Sequence, residues 1–459
     1  MKYFLQVFGC QMNISDSERV QSVLNSLGYL KTLDESKADL IVVIACAVRQ
    51  SAVDRVSGRA GYWLKRSKNK HLITLLTGCV LEYDKKRLAK YFDYIFPIKD
   101  LKRLPELLKR KPVQPIIKTP APLDEYFDIK PKYNSTFQAL VPISTGCNKV
   151  CSYCAVPFTR GREISRDPDV IVREVKDLAR RGYKEITLLG QNVNSYGWDF
   201  KGVAINLPQG KVYIQQLNNQ GQLKIKKRQV KNPMDFSLLL KTIASLPGNF
   251  WIRFITSHPY DLSDKLIDTI AKYPKLTPYL HLPVQSGSDK ILKAMNRQYT
   301  FEKYQKLIDK IRHKIPGATI STDIIVGFCG ETKADFQKTC ALVKNIKFDM
   351  AYIAKYSSRP GTAAANRPDN VPKIVKARRE KYLNDLLKKA ALSNNQKLVG
   401  KNLEVLFEKY KKGFAYGKTS GFKNIRVPSA KDFTGKFKIV KVTKATPWHL
   451  SGELVTKKL

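Results

Sequence analysis

The chain has 459 residues, 43% of them apolar, and its 82 Lys+Arg against 39 Asp+Glu give a formal charge of +43. That length accommodates about three domains, and no apolar run reaches the roughly eighteen residues that would suggest a membrane span. A charge of this sign draws polyanions, RNA first and an anionic membrane surface second, although the lysines are scattered and a generally basic proteome would look the same.

The first hundred residues alternate short apolar runs with amphipathic segments. Lys2 to Phe8, Asp39 to Ala45 and Leu72 to Thr77 read as strands, with helices over Ser15 to Leu27 and Gln50 to Lys65. This βαβαβ order predicts a parallel sheet with ligands beyond the carboxyl ends of its strands. Cys10, Cys46 and Cys79 each fall one or two residues past such an end. One sheet edge would thus gather three thiols from distant parts of the chain, a way to build a metal site; singly, each reads as an ordinary semi-buried cysteine. The start of the chain, Met1 to Cys10, runs into this motif and not into a cleavable signal.

Between about Pro105 and Tyr133 proline and lysine accumulate, which predicts a linker. A second alternation follows. Gln138 to Ser144, Glu185 to Leu189, Trp251 to Thr256, Tyr279 to Val284, Thr319 to Val326 and Met350 to Tyr356 read as strands with helices between them. Six βα units predict an open, partial TIM-like (βα)6 barrel with its chemistry at the C-terminal strand ends. Residues 201–232 interrupt the repeat with a polar, lysine-rich segment, read as a hairpin around Asn218-Asn219-Gln220-Gly221 that is either an RNA contact or a solvated excursion. After a charged helix over Lys376 to Leu392 and a break near Gly400, short strands with glycine turns predict a separately folded small β-barrel. In it Phe414, Tyr416 and Phe422 are candidates for stacking on RNA, or for its core. The fold class is therefore α/β: a parallel N-terminal sheet over 1–108, a linker over 109–132, a partial barrel over 133–392 and a terminal β-barrel over 396–457.

Immediately after the first strand of the second repeat comes Thr145-Gly146-Cys147-Asn148-Lys149-Val150-Cys151-Ser152-Tyr153-Cys154. The CxxxCxxC spacing brings three thiolates to one centre, and the nearest further candidates are Cys79 upstream and His258 downstream. A structural zinc site takes four protein ligands and a ferredoxin-type cluster four thiolates, so three imply an open coordination position. A zinc knuckle and three buried thiols are the alternatives. Eight cysteines, unevenly spaced, do not make a disulfide framework; reduced thiols suit the cytoplasm.

The three-cysteine loop resembles the signature of the radical-SAM superfamily, in which the open iron of a [4Fe-4S] cluster chelates S-adenosylmethionine. The wider resemblance spans nearly the whole chain. Its residues are Phe8-Gly9-Cys10-Gln11-Met12-Asn13, Gly78-Cys79, Gly190-Gln191-Asn192-Val193-Asn194-Ser195-Tyr196-Gly197, Thr256-Ser257-His258-Pro259, His281 to Ser288, Ile320 to Glu331, and Arg359-Pro360-Gly361-Thr362. The sequence resembles the radical-SAM methylthiotransferases of the MiaB type, and its terminal barrel resembles the TRAM domain.

This resemblance implies a tRNA-modifying transferase that adds a methylthio group to C2 of N6-dimethylallyl adenosine next to the anticodon. It implies two [4Fe-4S] clusters, one on Cys10, Cys46 and Cys79 and one on Cys147, Cys151 and Cys154, and two S-adenosylmethionine molecules. One of these donates a methyl group to sulfur; the other is cleaved to a radical. Strand-end position together with resemblance selects Gln191, Ser286, Asp323 and Val326 as contacts for S-adenosylmethionine, each otherwise a core or turn residue. Arg166 and Arg359 are candidates for a carboxylate or phosphate, and Cys329 and Cys340 are read as structural. The implied partners are the tRNA anticodon loop, an electron donor of flavodoxin or ferredoxin type and an unspecified sulfur donor, acting on a cytoplasmic monomer with no membrane contact.

Two departures stand out: Ala45-Cys46-Ala47 where the resemblance expects Thr-Cys-Ser, and Cys329 where it expects proline. Methylthiotransferases for threonylcarbamoyl adenosine or for a ribosomal-protein aspartate are the neighbouring alternatives. An RNA-binding protein with a purely structural cluster is the alternative from another class.

Overall fold

In a computed structural model, residues 1–46, 50–69, 72–109, 123–201, 205–206, 222–223 and 230–455 are described. The first unit runs β1 (Lys2–Phe8), α1 (Gln11–Ser26), β2 (Leu30–Lys31), β3 (Leu40–Cys46), α2 (Gln50–Asn69), β4 (Ile73–Cys79), α3 (Glu82–Leu88), β5 (Tyr94–Ile95) and α4 (Leu104–Lys109). The five strands form one parallel sheet in the order β2-β1-β3-β4-β5. Val20 and Leu24 of α1 pack on one face; Val56, Ala60 and Trp63 of α2 pack on the other. With both faces covered, β3 reads as an unbroken apolar run and is buried throughout.

Cys46 and Cys79 are the last residues of β3 and β4, and not past them as the sequence reading had it. The ladder continues through Ala45↔Gly78 to Cys46↔Cys79. The segment read as a linker also differs. Residues 110–122 lie outside the described set, but Leu123–Asp128 forms a 3₁₀ turn whose Tyr126 and Phe127 are buried in the N-terminal core. Its flanking prolines and lysines obscured two aromatics that anchor it.

The second unit begins with β6 (Gln138–Pro142), β7 (Ser144–Thr145), α5 (Val156–Arg160), β8 (Ile164–Ser165), α6 (Pro168–Arg180), β9 (Glu185–Leu189) and α7 (Trp198–Lys201). Within the insertion, β10 (Ile205–Asn206) pairs antiparallel with β11 (Gln222–Leu223); the Asn218–Gly221 turn falls outside the described residues. Then come α8 (Phe236–Ala244), β12 (Trp251–Ile255), α9 (Asp264–Lys272), β13 (Tyr279–His281), α10 (Asp289–Ala294), α11 (Phe301–Lys314), β14 (Thr319–Val326), α12 (Lys333–Ile346), β15 (Met350–Lys355) and α13 (Lys373–Gln396).

Six parallel strands stand in two sets, β6-β9-β12 and β13-β14-β15, joined through an Ile252–Leu276 bridge. This is the open barrel expected from the sequence. Its interior is one apolar core, and Cys340 belongs to it, while Cys329 packs beside Phe328 and Tyr356. Among the described residues no helix is long and apolar enough to cross a membrane.

The last unit, β16 (Asn402–Lys411), β17 (Phe414–Thr419), β18 (Asn424–Pro428), β19 (Phe437–Ala445) and β20 (Leu450–Leu454), closes into a barrel in the order β16-β17-β18-β20-β19 around Val405, Phe407, Val427 and Val440. It docks on the N-terminal strand ends of the central barrel. Trp251 lies 4.7 Å from Phe437 between ring centroids, and Tyr279 stacks on Phe422 at 4.6 Å and 27°. Arg253 donates to the carbonyls of Ser420 (2.7 Å) and Thr419 (2.9 Å), and Lys423 pairs with Asp349. The barrel folds around its own core yet shields part of its neighbour's, so the break near Gly400 is not a clean cut. Phe422 serves this junction and not a free surface. Tyr416 is exposed, with Phe414 beside it and Arg426 over the Phe414 ring.

Candidate functional site

The N-terminal thiols converge because three consecutive crossovers return the chain to one sheet edge. Cys46 and Cys79 are Cα partners in neighbouring strands, and Cys10 caps α1 two residues after β1. Two glycines make room. A Cβ on Gly78, whose φ is +106°, would stand 2.4 Å from the Ala45 carbonyl, and one on Gly9 would stand 2.3 Å from Asn13 Oδ1. Asn13 ties the set together: its Oδ1 accepts from the Cys10 amide (3.3 Å) and thiol (3.4 Å), and its Nδ2 donates to the Ala45 carbonyl (3.3 Å). Cys10 is exposed while Cys46 and Cys79 are buried, which marks the open side. A hydrogen bond with Cys46, and then burial, holds the Cys79 thiol well above its usual pKa.

The second set sits on the loop after β7, at the C-terminal mouth of the barrel. The Cys147 amide donates to the Gly161 carbonyl (3.1 Å), and Asn296 Nδ2 donates to the Val150 carbonyl (2.7 Å). Ser152 is fixed by its amide on Met295 (3.0 Å) and its hydroxyl on Ala294 (2.9 Å). Polar hydrogens reach each sulfur: Lys149 N to Cys147 (3.4 Å), Val156 N to Cys154 (3.5 Å) and Arg297 Nη1 to Cys151 (3.2 Å). Burial, then Cys151, pushes the Cys154 thiol up to about 12; burial, then Glu163, raises Cys147. Buried thiols with raised pKa values stay protonated until a metal centre displaces the protons, which then pass to solvent.

The chain just after the second set reaches the first: Arg160 donates through Nε to Cys79 Sγ at 2.8 Å, and the next residue, Gly161, accepts from the Cys147 amide. All eight cysteines carry free thiols. Among the described residues no three His, Cys, Asp or Glu side chains could share one metal ion.

Around the second set the barrel mouth is polar and clamped. Asp261 accepts from Lys149 Nζ (2.8 Å) and Asn192 Nδ2 (2.7 Å), and Glu163, pushed up to about 8 by burial, takes the Ser195 hydroxyl on both oxygens. Lys149 Nζ also lies 5.0 Å from the Tyr260 ring, which is exposed.

Of the residues selected for S-adenosylmethionine, Gln191 stands at this mouth with a buried Oε1 that has no hydrogen-bond partner. Asp323 faces His281 Nε2 at 3.3 Å. Ser286 is fully buried, its hydroxyl bonded to the Ser288 amide and Thr339 (3.3 Å), and Val326 lies in the core with its carbonyl taken by Tyr356 N. These two side chains are a turn residue and a core residue. Arg166 is ion-paired with Glu174, and Arg359 lies near Asp84 and Cys46.

The sequence reading did not single out Asn194, Ser257 or Gln285, whose Oδ1, Oγ and Oε1 are likewise buried without partners at these strand ends. Thr256 and Gln285 moreover hold left-handed backbone, φ 79° and 73°, strain that concentrates at ligand sites. The motifs Thr256 to Pro259 and His281 to Ser288 contained this signal, unassigned to particular atoms.

Fold and site together define a radical-SAM protein carrying an N-terminal thiol-bearing sheet and a terminal closed β-barrel. Residues 141–343 match the radical SAM superfamily, 2–96 the uncharacterized protein family UPF0004 and 396–455 the TRAM domain. The chain is 40% identical over 465 residues, 99% of its length and 98% of the relative's, to a tRNA-2-methylthio-N(6)-dimethylallyladenosine synthase from Dictyoglomus thermophilum. It is 38% identical over 467 residues, 99% of each chain, to one from Carboxydothermus hydrogenoformans. The protein belongs to the tRNA-2-methylthio-N(6)-dimethylallyladenosine synthase family. Its fold is similar to that of the radical S-adenosylmethionine methyltransferase TsrM from Kitasatospora setae, with a TM-score of 0.53 at 13% identity over 79% of this chain and 77% of that one.

Proposed function

We propose that this protein is a radical-SAM methylthiotransferase that places a methylthio group on C2 of N6-dimethylallyl adenosine beside the tRNA anticodon. The observation that carries the reading is a pair of three-thiol sets, one on the sheet edge and one on the barrel mouth, tied by one turn of chain in which Arg160 contacts Cys79 and Gly161 contacts Cys147. Each set offers the cysteine thiolates by which [4Fe-4S] clusters are held. Cys10, Cys46 and Cys79 would hold one cluster; Cys147, Cys151 and Cys154 would hold the other.

Cys147, Cys151 and Cys154 would hold the second cluster, which would supply one electron for cleavage of S-adenosylmethionine to methionine and a 5′-deoxyadenosyl radical. The chain's own part is to bind and orient. Gln191, Asn194, Ser257 and Gln285 offer unpaired buried acceptors to the amino and hydroxyl groups of S-adenosylmethionine, and Asp323 offers a carboxylate. The exposed Tyr260, over Lys149 at the mouth, gives a loop-exposed base a face to stack on. Phe414, Tyr416 and Arg426 supply a second RNA contact on the terminal barrel, at the opposite end of the core. An electron donor of flavodoxin or ferredoxin type completes the partners of a cytoplasmic monomer.

Anaerobic reconstitution tests the division of labour. The wild type should hold about eight irons, and Cys147, Cys151 and Cys154 replaced together by alanine should leave about four. Replacing any of Cys10, Cys46 and Cys79 should spare formation of 5′-deoxyadenosine and abolish methylthio insertion. 5′-Deoxyadenosine formed at the normal rate by Cys151→Ala would overturn the assignment.

A further inference from the structure

One turn of chain touches both thiol sets. Gly161, with φ +77°, turns its carbonyl to the Cys147 amide, while the preceding Arg160 sends its side chain across the domain junction to Cys79. Arg160 is 5% exposed. Its three nitrogens have three different situations. Nε donates to Cys79 Sγ at 2.8 Å, Nη2 donates to Asp16 of the N-terminal unit, and Nη1 is buried with no partner. Asp16 is itself fully buried and held by the Tyr126 hydroxyl at 2.6 Å, so the guanidinium is fixed in place from both sides. An arginine used only to join the two units would be satisfied by Asp16. Its short contact to a ligand sulfur and its orphaned N–H both point toward an anionic group at the N-terminal thiols.

We propose that Arg160 is a positioning residue that sets the reduction potential of the N-terminal cluster while fixing that cluster against the radical one. This rests on the N-terminal thiols holding a cluster, as proposed above. An N–H donated to a cysteinyl sulfur, and a buried cation beside it, stabilise the more electron-rich reduced cluster. Removing them makes the cluster harder to reduce. Arg297, on Cys151, stands in the same relation to the other set but also holds the Pro283 carbonyl and Tyr299, so its loss would disturb the barrel as well.

The test uses the full chain with Cys147, Cys151 and Cys154 replaced by alanine, so that only the N-terminal cluster is read. Iron content and an EPR-monitored redox titration are measured in this parent, in Arg160→Lys and in the pair Asp16→Asn with Arg160→Gln. The pair removes the cation without stranding a buried carboxylate. The expected result is full iron in all three and, measured against an Asp16→Asn control so that loss of the carboxylate cancels, a reduction equilibrium shifted at least tenfold toward the oxidised state in the pair, about 59 mV for a one-electron couple, with a smaller shift for lysine against the parent. Full iron with a potential in the pair unchanged from that control would overturn the proposal alone. Loss of iron from both variants would also overturn it, by making Arg160 a structural requirement. A parent without iron would overturn the N-terminal cluster itself and this inference with it.

Discussion

Replacing Phe422 by alanine should loosen the terminal barrel from the catalytic core without touching RNA recognition. The ring stacks on Tyr279 at 4.6 Å, and Arg253 and Lys418 sit 5.0 and 4.7 Å from its centroid. An aromatic pair contributes about 0.5–1.5 kcal/mol beyond area burial, and each cation about 0.5–1 kcal/mol. The expected loss is about 2–3 kcal/mol. Phe422 also holds a left-handed φ of 63°, which alanine tolerates no better. Phe422→Gly, relieved of that strain, should lose about 1 kcal/mol less. Trp251, buried at the same junction, reports the separation by fluorescence during urea unfolding. At roughly 1–3 kcal/mol per molar urea, the midpoint of barrel release should fall by about 1 M or more. An unchanged midpoint together with weakened tRNA binding would refute the reasoning and put Phe422 on the RNA.

Gly78→Ala should cost about 1–3 kcal/mol of backbone strain and force β3 and β4 apart beside Cys46 and Cys79, leaving about four of eight irons while 5′-deoxyadenosine still forms; iron analysis and product chromatography check this. Glu18, buried where α1 meets the barrel, is pushed up to about 7 chiefly by desolvation. The folded protein therefore keeps this proton between about 4.5 and 7 while the unfolded chain loses it. Stability should decline as pH rises through that window, by roughly 3 kcal/mol in all, and Glu18→Gln should flatten the slope; denaturation at several pH values measures it.

Periodicity made the strands legible. Lys2–Phe8, Glu185–Leu189 and Thr319–Val326 fall where alternation and apolar runs place them. The six candidate cysteines were legible because thiols at fixed spacing or at repeated strand ends leave a local mark. What stayed hidden was contact between distant segments. Nothing near Tyr126 announces that it reaches Asp16, and the polar side of α1, with Asn13, Asp16, Glu18 and Arg19 all buried, looks in sequence like a solvated face. Phe422 read as either an RNA aromatic or a barrel-core residue because its partner Tyr279 is on another domain. Ser286 and Val326 were chosen by strand position, which locates a residue along the barrel but does not say whether its side chain is already bonded or packed.

The central claim is tested most directly by mass spectrometry of tRNA nucleosides from cells of the source organism lacking this gene. The account predicts that N6-dimethylallyl adenosine accumulates without its 2-methylthio group, and that the intact gene restores the methylthio form while a Cys46→Ala copy does not. Undiminished methylthiolated nucleoside in the deletion strain would contradict it.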